Sequence, residues 1–410
     1  MPILLEEDTG LKLPKMHRVR QSFPNEHLED VARSVRKQMM RPDIQSKIRP
    51  GARTAIAVGS RGINNLPLIV RTVIEHLEQA GACPFIIPAM GSHGGGTAKG
   101  QLEILKSYGI SEETMGVQVI SDTEVSRVGS LKRGTAIYFD QTALSADLVI
   151  PINRVKLHTD FVAAIQSGLC KMLVIGLGNH KGCSTMHDNG FEHFGDEILE
   201  AAEIIMRQAK IGFGLAIVEN AYDQTLMVEA IASEHILHRE KELVKIAGKN
   251  MATLMIPEID ILIVEEIGKN ISGTGYDPNI LGRSFILKKF VLPVPKIERM
   301  VLNRLSAQSH GNACGIGAFD IITRQAFEQI NFEDTYANCV AVKCPEDGKI
   351  PLVVETEEEA VRVAIKVLPK ANKNNFKIVR IKNTLDLEEI EVSDALLTYV
   401  ASHPNLALID

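Results

Sequence analysis

The sequence has no tryptophan and few other aromatic residues: its 410 residues include 13 Phe and 6 Tyr. Proteins that bind single-stranded nucleic acid commonly stack bases on aromatic side chains, and this chain has few to offer. Its formal net charge of -6 gives no electrostatic reason for attraction to phosphate backbones or anionic lipid surfaces. We therefore expect no nucleic-acid partner.

Cysteine is also scarce. The 6 cysteines form no CxxC pair, and such a sparse pattern is typical of reduced thiols in the cytosol. No apolar run approaches the roughly 18 residues that a membrane span requires. The N-terminus, MPILLEEDTG, lacks the basic and apolar regions of a secretion signal. The sequence therefore predicts a cytoplasmic protein with no membrane partner.

Short β-rich runs alternate with amphipathic stretches along most of the chain. The runs TAIAVGS, CPFIIPAM and DLVIPIN read as buried strands, and 66–81 reads as an amphipathic helix. A chain of this length exceeds one ordinary core. We predict an α/β fold with two domains, 1–252 and 253–410, each a largely parallel sheet flanked by helices. The last helix, SDALLTYVASH, could pack back on the first domain.

Polar loops follow the predicted strands of the first domain. They are Gly59–Gly62, Gly91–Thr97 and the stretch after Asn153, and such loops converge if their strands are parallel neighbours. The glycines of GSHGGGT could form a simple tight turn or a cradle of backbone amides for a phosphate. A flexible loop is a poor place for a packing histidine, so His93 is a candidate functional residue. Arg61 is either a solvated loop residue or a carboxylate clamp.

The segment from Lys156 to Asn189 concentrates side chains that bind metals or transfer protons. They are His158, Cys170, Lys171, His180, Cys183 and His187. A metal site could be built as His180-x2-Cys183-x3-His187, with or without Cys170. This spacing matches no standard zinc motif. Lys171 precedes the apolar run MLVIGLG and is expected to be partly buried. Such a lysine either extends its amine to solvent or serves as a nucleophile or cofactor attachment point.

The order of these residues resembles the nickel-pincer-nucleotide-dependent lactate racemase family of 2-hydroxyacid racemases and epimerases. An arginine loop is followed by a Gly-x-His loop and then by His, Lys and His. The resemblance covers most of the chain, is strongest over 59–189, and includes EEIGKNISGTGYDPNILGRS and SHGNACGIGAFD. It implies inversion of C2 of a small 2-hydroxyacid by reversible hydride transfer to a nickel pincer nucleotide, in a cleft between the domains. It also implies that cofactor-biosynthesis proteins act as maturation partners.

The resemblance implies roles for the lysine and three of the histidines. Lys171 would tether the cofactor, nickel pyridinium-3,5-bisthiocarboxylic acid mononucleotide, through a thioamide. His187 would be the protein ligand to nickel. His93 and His158 would be the paired acid and base on the two sides of the substrate, because each enantiomer requires its own base.

It also implies contacts to the cofactor and the substrate. Gly94 and Gly95 would contact the cofactor, and Arg61 would bind near the cofactor or the substrate. The resemblance assigns no role to His180, which is a second candidate metal ligand or a contact to the cofactor. Lys269, in the second domain, would contact the substrate carboxylate.

The sequence departs from the lactate racemase pattern at several of these positions. Three glycines follow His93, His158 lies in Lys-Leu-His-Thr, and SGLCK replaces a Gly-Gly-x-Lys segment. These departures are typical of a divergent subgroup with another substrate. The alternatives are a sugar-acid 2-epimerase of the same mechanism and a non-catalytic metal- or nucleotide-binding protein with this fold.

Overall fold

The computed structural model describes residues 3–59, 62–369 and 375–409. The chain divides into two compact units. The central unit is Pro24–Met251, and the terminal unit combines Met1–Phe23 with Ala252–Asp410. The division at Met251 falls one residue from the predicted limit of 252. The first 23 residues, however, belong with the C-terminal part of the chain, whereas the sequence places them in the first domain.

The strands within the described ranges follow one another along both units. In chain order they are β1 (Met16–Gln21), β2 (Arg53–Val58), β3 (Cys83–Pro88), β4 (Val125–Ser130), β5 (Ala136–Asp140), β6 (Leu148–Arg154), β7 (Phe213–Glu219), β8 (Thr225–Ala232), β9 (Glu258–Ile267), β10 (Lys296–Leu305), β11 (Ile321–Thr323), β12 (Leu352–Val354), β13 (Ile378–Ile381), β14 (Glu389–Ser393) and β15 (Leu406–Leu408).

The α-helices of the same ranges vary from a single turn to four turns. In chain order they are α1 (Glu6–Thr9), α2 (Val31–Met39), α3 (Pro42–Gln45), α4 (Leu66–Gln79), α5 (Ala98–Ser107), α6 (Glu112–Met115), α7 (Gln141–Ser145), α8 (Leu169–Lys171), α9 (Asn179–His187), α10 (Phe194–Gln208), α11 (Ile236–Lys249), α12 (Pro278–Leu281), α13 (Arg324–Glu328), α14 (Phe332–Ala341), α15 (Glu357–Lys366) and α16 (Leu397–Ser402). Short 3-10 turns lie at Gly94–Gly96, Ser233–His235, Ala307–Ser309, Ile316–Ala318, Pro345–Gly348 and Asp394–Leu396, and a π-helical turn spans Met172–Gly176.

The central unit is built on a five-stranded sheet in the order β3-β2-β6-β7-β8. The first four strands are parallel and β8 is antiparallel to β7. Every residue of β7 is buried, as expected for a parallel strand covered on both faces. Because β3, β2 and β6 are parallel neighbours, the loops that follow them emerge at the same edge of the sheet. This confirms the predicted convergence of the three loops.

The terminal unit is built on an eight-stranded sheet in the order β12-β11-β10-β9-β13-β14-β1-β15. The strands from β12 to β13 are parallel, and the pairings beyond β13 are antiparallel. In β1, Val19 pairs with Ile390 on one side and Leu408 on the other. This double pairing is why residues 1–23 join the terminal unit. The last helix, α16, packs against β15 in the same unit, and the Tyr399 hydroxyl donates to the Met255 carbonyl.

Most of the predicted elements are present. The strand runs correspond to β2, β3 and β6, and the predicted helix over 66–81 is α4. At the start of α15, the Thr356 hydroxyl caps the helix by accepting a hydrogen bond from the Glu359 amide. The Glu359 carboxylate, however, accepts from the Glu355 amide, so the reciprocal bond of a capping box is not made. In the described part of the chain, no helix has an apolar stretch long enough to cross a membrane.

Candidate active site

Beyond β6, the chain forms a closed loop that carries His158 and returns to Lys171. Lys156 and Ser167 pair as an antiparallel bridge across the base of this loop. The side-chain amide (Nδ2) of Asn153, near the end of β6, donates to the Gly168 carbonyl at 2.8 Å. The bridge and the hydrogen bond connect the carboxyl edge of the sheet to the start of α8. They therefore determine the position of the Lys171 backbone.

The imidazole of His158 is buried, and it contacts an aromatic ring, a backbone amide and a lysine side chain. Only 9% of the residue is exposed, and its ring stacks on Phe161 with centroids 4.4 Å apart. Its backbone amide donates to Gln166 Oε1 at 2.7 Å, and its Nδ1 accepts from the Asp160 amide at 3.0 Å. The other ring nitrogen, Nε2, contacts Nζ of Lys171. The two residues that the sequence separates by a long loop are therefore direct neighbours.

Lys171 ends the short helix α8 and is followed at once by the π-helical turn. In this turn the Leu177 amide donates to the Met172 carbonyl at 2.8 Å. Such insertions are rare and recur at functional sites. The turn packs tightly on the residue that follows β3, because a Cβ at Gly176 would lie 2.6 Å from the Ala89 carbonyl oxygen. Lys171 itself is half-buried, as the sequence predicts.

A buried carboxylate lies under the first turn of α8. Glu240 Oε2 accepts a hydrogen bond from the Cys170 amide at 2.9 Å. Burial raises the pKa of Glu240 to about 7, although hydrogen bonds to Cys170 and Leu169 oppose this shift. Burial also raises the pKa of the Cys170 thiol well above its ordinary value, and the nearby Glu240 adds to the effect. Cys170 is therefore a neutral, packed thiol.

His187 and Cys183 form a pair on one face of α9, one helical turn apart. Nδ1 of His187 lies 2.7 Å from the Cys183 carbonyl oxygen and 3.5 Å from its Sγ. Burial alone would lower the pKa of His187, but the Cys183 thiol raises it overall through hydrogen bonding and charge; a positive charge on Lys171 would act in the opposite direction. Burial would raise the pKa of Cys183, but hydrogen bonds with His187 and Ser92 lower it overall.

The glycine-rich loop between β3 and α5 packs against this helix. Gly94, Gly95 and Gly96 have φ values of 67°, 67° and 66°, a region that favours glycine. A Cβ at Gly96 would lie 3.0 Å from the His180 ring. Ser92, in the same loop, lies with its Oγ 3.7 Å from Cys183 Sγ. His93 is exposed between these contacts.

The structure thus gathers most of the predicted residues of the central unit at one edge of its sheet. His158 contacts Lys171, His187 contacts Cys183, and the loop with His93 adjoins α9. Arg61 lies outside the described residues. Lys269 belongs to the terminal unit, where its Nζ donates to the Gly273 carbonyl at 2.6 Å.

The alternative zinc site of His180, Cys183 and His187 does not form. Among residues 3–59, 62–369 and 375–409, no three His, Cys, Asp or Glu side chains come together in a way that could hold a metal ion. Only Cys183 and His187 of this set contact each other. Cys183 is thus a partner of His187, although the resemblance gave it no role.

Two other residues of the site were not predicted. Glu240 lies on a helix 70 residues beyond Cys170, and no local pattern connects them. Gln166, whose Oε1 accepts a hydrogen bond from the His158 backbone amide, lies in a stretch with no recognisable motif. The pair formed by Cys183 and His187 could have been found, because residues four apart share a helix face.

Comparison with known proteins gives a family and a fold. Residues 4–198 match the family model for the lactate racemase N-terminal domain. The lactate racemase apoprotein from Thermoanaerobacterium thermosaccharolyticum has a similar structure, with a TM-score of 0.55 and 13% sequence identity. The match covers 91% of this chain and 99% of that one. No curated protein matches the sequence.

The matched residues include His93, His158, Lys171 and His187, which carried the resemblance. The match supports, at a general level, a racemase or epimerase of a 2-hydroxyacid. At 13% identity the structural likeness bears on the fold alone, which is mixed α/β with mostly parallel sheets. Residues 4–198 thus match the lactate racemase N-terminal domain model, in agreement with the resemblance that the sequence showed.

Proposed function

We propose that the chain is a racemase or epimerase that inverts C2 of a small 2-hydroxyacid with a nickel pincer nucleotide as cofactor. The observation that carries the proposal is the contact between Lys171 and His158, inside the matched family domain. It joins the proposed attachment point to a proposed proton-transfer group. His158 stacks on Phe161, and Phe194 packs against both Phe161 and the proposed nickel ligand His187.

The residues of the central unit fit such a cofactor. His187 can donate its Nδ1 proton to the Cys183 carbonyl at 2.7 Å, which leaves Nε2 as the nitrogen for a metal. Histidine ligands of metals commonly donate the N–H of their second ring nitrogen to a carbonyl in this way. Among the described residues, a Cβ added at Gly95 would have no atom within 4 Å other than those of Gly95 and its two chain neighbours. Its open backbone suits the close approach of a phosphate. Gly94, Gly95 and His180 remain the proposed contacts to the nucleotide, and Lys171 the proposed tether.

The proposed chemistry divides between the cofactor and the side chains. When bound, the cofactor would accept the C2 hydrogen as hydride, which avoids removing a hydrogen too weakly acidic for a side-chain base. His158 and His93 would exchange the hydroxyl proton from the two sides of the substrate. A positioned acid or base contributes about 10²–10⁴-fold to such a step. Arg61 and Lys269 remain the proposed contacts to the substrate carboxylate.

Optical rotation of single enantiomers tests the proposed activity. Protein matured with the cofactor-biosynthesis proteins should convert one enantiomer of lactate, malate, 2-hydroxyglutarate or an aldonate into a mixture. His158→Ala and His93→Ala should each lower this activity by about 10²–10⁴-fold while nickel is retained. His238→Ala, at a site with 83% side-chain exposure, is the matched control. Activity on aldonates alone would favour the sugar-acid epimerase.

Intact mass under denaturing conditions tests the tether separately. Matured wild-type protein should exceed its sequence mass by one cofactor, and Lys171→Ala should abolish the added mass. Lys181→Ala, which removes a lysine that stacks on the Tyr138 ring, should retain it. Stoichiometric zinc with no adduct and no stereochemical change would instead identify a non-catalytic binding protein.

A further inference from the structure

The hydrogen bonds of His158 determine which ring nitrogen carries its proton. The Asp160 backbone amide donates to Nδ1 at 3.0 Å, and a backbone N–H can only donate. The Asp160 carboxylate is 3.9 Å from Nδ1 and outside hydrogen-bond distance. Nδ1 therefore has no proton, and a neutral His158 ring has its proton on Nε2. The stack on Phe161 restrains the plane of the ring.

The Nε2 proton points at the amino group of Lys171, because Nε2 and Nζ are in contact. An ammonium group has three N–H donors and no lone pair, so it cannot accept this proton. A neutral amine can. We infer that His158 holds Lys171 as a neutral amine, which makes Lys171 an imine-forming nucleophile toward small aldehydes and 2-ketoacids even in the cofactor-free protein. This reactivity goes beyond the proposed racemase function and does not depend on nickel.

The surroundings of Lys171 are consistent with a neutral amine. The lysine is half-buried and its partner His158 is buried, and burial disfavours a charged lysine. The titratable groups near Lys171 include His158, which has the Asp160 carboxylate 3.9 Å from its Nδ1, and His187. They also include Glu240, whose Oε2 accepts the amide of the preceding residue, Cys170.

The reaction balances without an oxidant. The Lys171 nitrogen forms a bond to the carbonyl carbon, and the carbonyl oxygen leaves as water with the two protons that the nitrogen sheds. His158 can deliver its Nε2 proton to the departing hydroxyl and regain one from the nitrogen. The product is an imine between Lys171 and the carbonyl compound.

Glyoxylate with cyanoborohydride is the probe, because the reductant traps an imine as a stable carboxymethyl group. Cofactor-free protein is labelled at pH 7, digested and mapped by mass spectrometry. An ordinary lysine, with a pKa near 10.4, is neutral in only about one molecule in a few thousand at this pH. Lys171 should therefore be labelled at least about 10-fold faster than the control residue Lys181. Equal rates at the two residues would overturn the inference.

A variant and a spectroscopic measurement separate this role from simple packing. His158→Phe keeps an aromatic ring on Phe161 and removes both nitrogens. In the variant, the Lys171 labelling rate should rise about 10-fold per pH unit between pH 6 and 8, as for an ordinary lysine. In the wild type it should stay nearly flat. A far-UV circular dichroism spectrum and a thermal midpoint that match those of the wild type show that the variant is folded.

Nitrogen-15 spectra of the wild-type histidines need no variant. At pH 7, His158 should show a protonated Nε2 and an unprotonated Nδ1. A protonated Nδ1 would contradict the inference, even if Lys171 were labelled. Because these experiments use protein without cofactor, their failure leaves the racemase assay unaffected, and a failed racemase assay leaves them unaffected.

Discussion

At Glu240, the chain buries a carboxyl group completely under the turn that leads to Lys171. Oε2 accepts the Cys170 amide, and Oε1 has no hydrogen-bond partner among the described residues. A Cβ at Gly168 would lie 2.5 Å from Oε1, so a larger residue there would displace the Glu240 carboxyl group. An unpartnered oxygen in this position makes the ionised form costly. The pKa of about 7 follows from this burial.

The pH dependence of stability should report this carboxyl group. Its pKa rises from 4.5 when exposed to about 7 in the folded protein, so the folded state binds the proton more tightly. The free energy of unfolding should then fall as pH rises from about 4.5 to 7, by about 3 kcal/mol if the shift is fully expressed. Glu240→Gln keeps an acceptor for the Cys170 amide and cannot ionise. Urea unfolding at pH 5 and pH 8 should therefore show a smaller difference in this variant.

Glu75→Gln, on the exposed face of α4, is the matched control. It should leave the wild-type pH dependence unchanged. If Glu240→Gln retains the same slope as the wild type, the buried carboxyl does not titrate in this range.

Side-chain roles at this scale were only partly predictable. His158, Lys171 and His187 stood out by residue type and order. Their contacts depend on the bridge between Lys156 and Ser167, which closes the loop around His158. Nothing local in the sequence specifies that bridge, so the contact between His158 and Lys171 could not be foreseen.

At the scale of elements, the glycine loop offers a comparison between adjacent positions. Gly94 and Gly95 share a φ of 67°, so alanine at either position costs about 1–2 kcal/mol of stability. A Cβ at Gly94 would also lie 2.5 Å from the Gly100 carbonyl carbon, whereas a Cβ at Gly95 meets no atom within 4 Å. Gly94→Ala should therefore lower the free energy of unfolding by clearly more than Gly95→Ala. Denaturant midpoints of the two variants make the measurement, and equal losses would show that the loop relaxes away from α5.

Element prediction succeeded where burial is continuous and failed where it is not. The strands β2, β3 and β6 are apolar runs bounded by glycine or polar residues, and all were predicted. The strand β10 lies inside the eight-stranded sheet, but its sequence KIERMVLNRL interrupts the apolar pattern with charges. Some of these charges pair across the sheet, as Arg304 does with Glu266 at 3.2 Å. The π-helical turn was also missed, because MLVIG fits several backbone conformations equally well.

At the scale of the whole molecule, the first 23 residues complete a sheet made mainly from the last 159. The pairing of β1 with β14 and β15 joins residues at least 369 positions apart. A strand pairing at that distance has no local signature, so the sequence assigned these residues to the nearest domain. The other limit of the division, at Met251, lies one residue from the predicted limit of 252.

Deletion of residues 1–23 tests this assignment. The shortened chain should lose protection from hydrogen exchange in β13, β14 and β15, because β14 and β15 would lose the strand between them. The central unit should keep its protection in β2, β6 and β7, since its core contains no residue before Val31. Exchange measured by mass spectrometry on both forms compares the two units in one experiment. Loss of protection in the central sheet instead would place residues 1–23 with the first domain.

The position of β1 also has a consequence for the order in which the protein folds during synthesis. The strand β1 cannot pair until β14 and β15 have been made, at least 369 residues later in the chain. At about 5–20 residues per second, that wait is on the order of tens of seconds. The central unit is complete well before then and can fold on the ribosome while β1 remains unpaired. Synthesis of β14 and β15 is then the event that allows the terminal sheet to form.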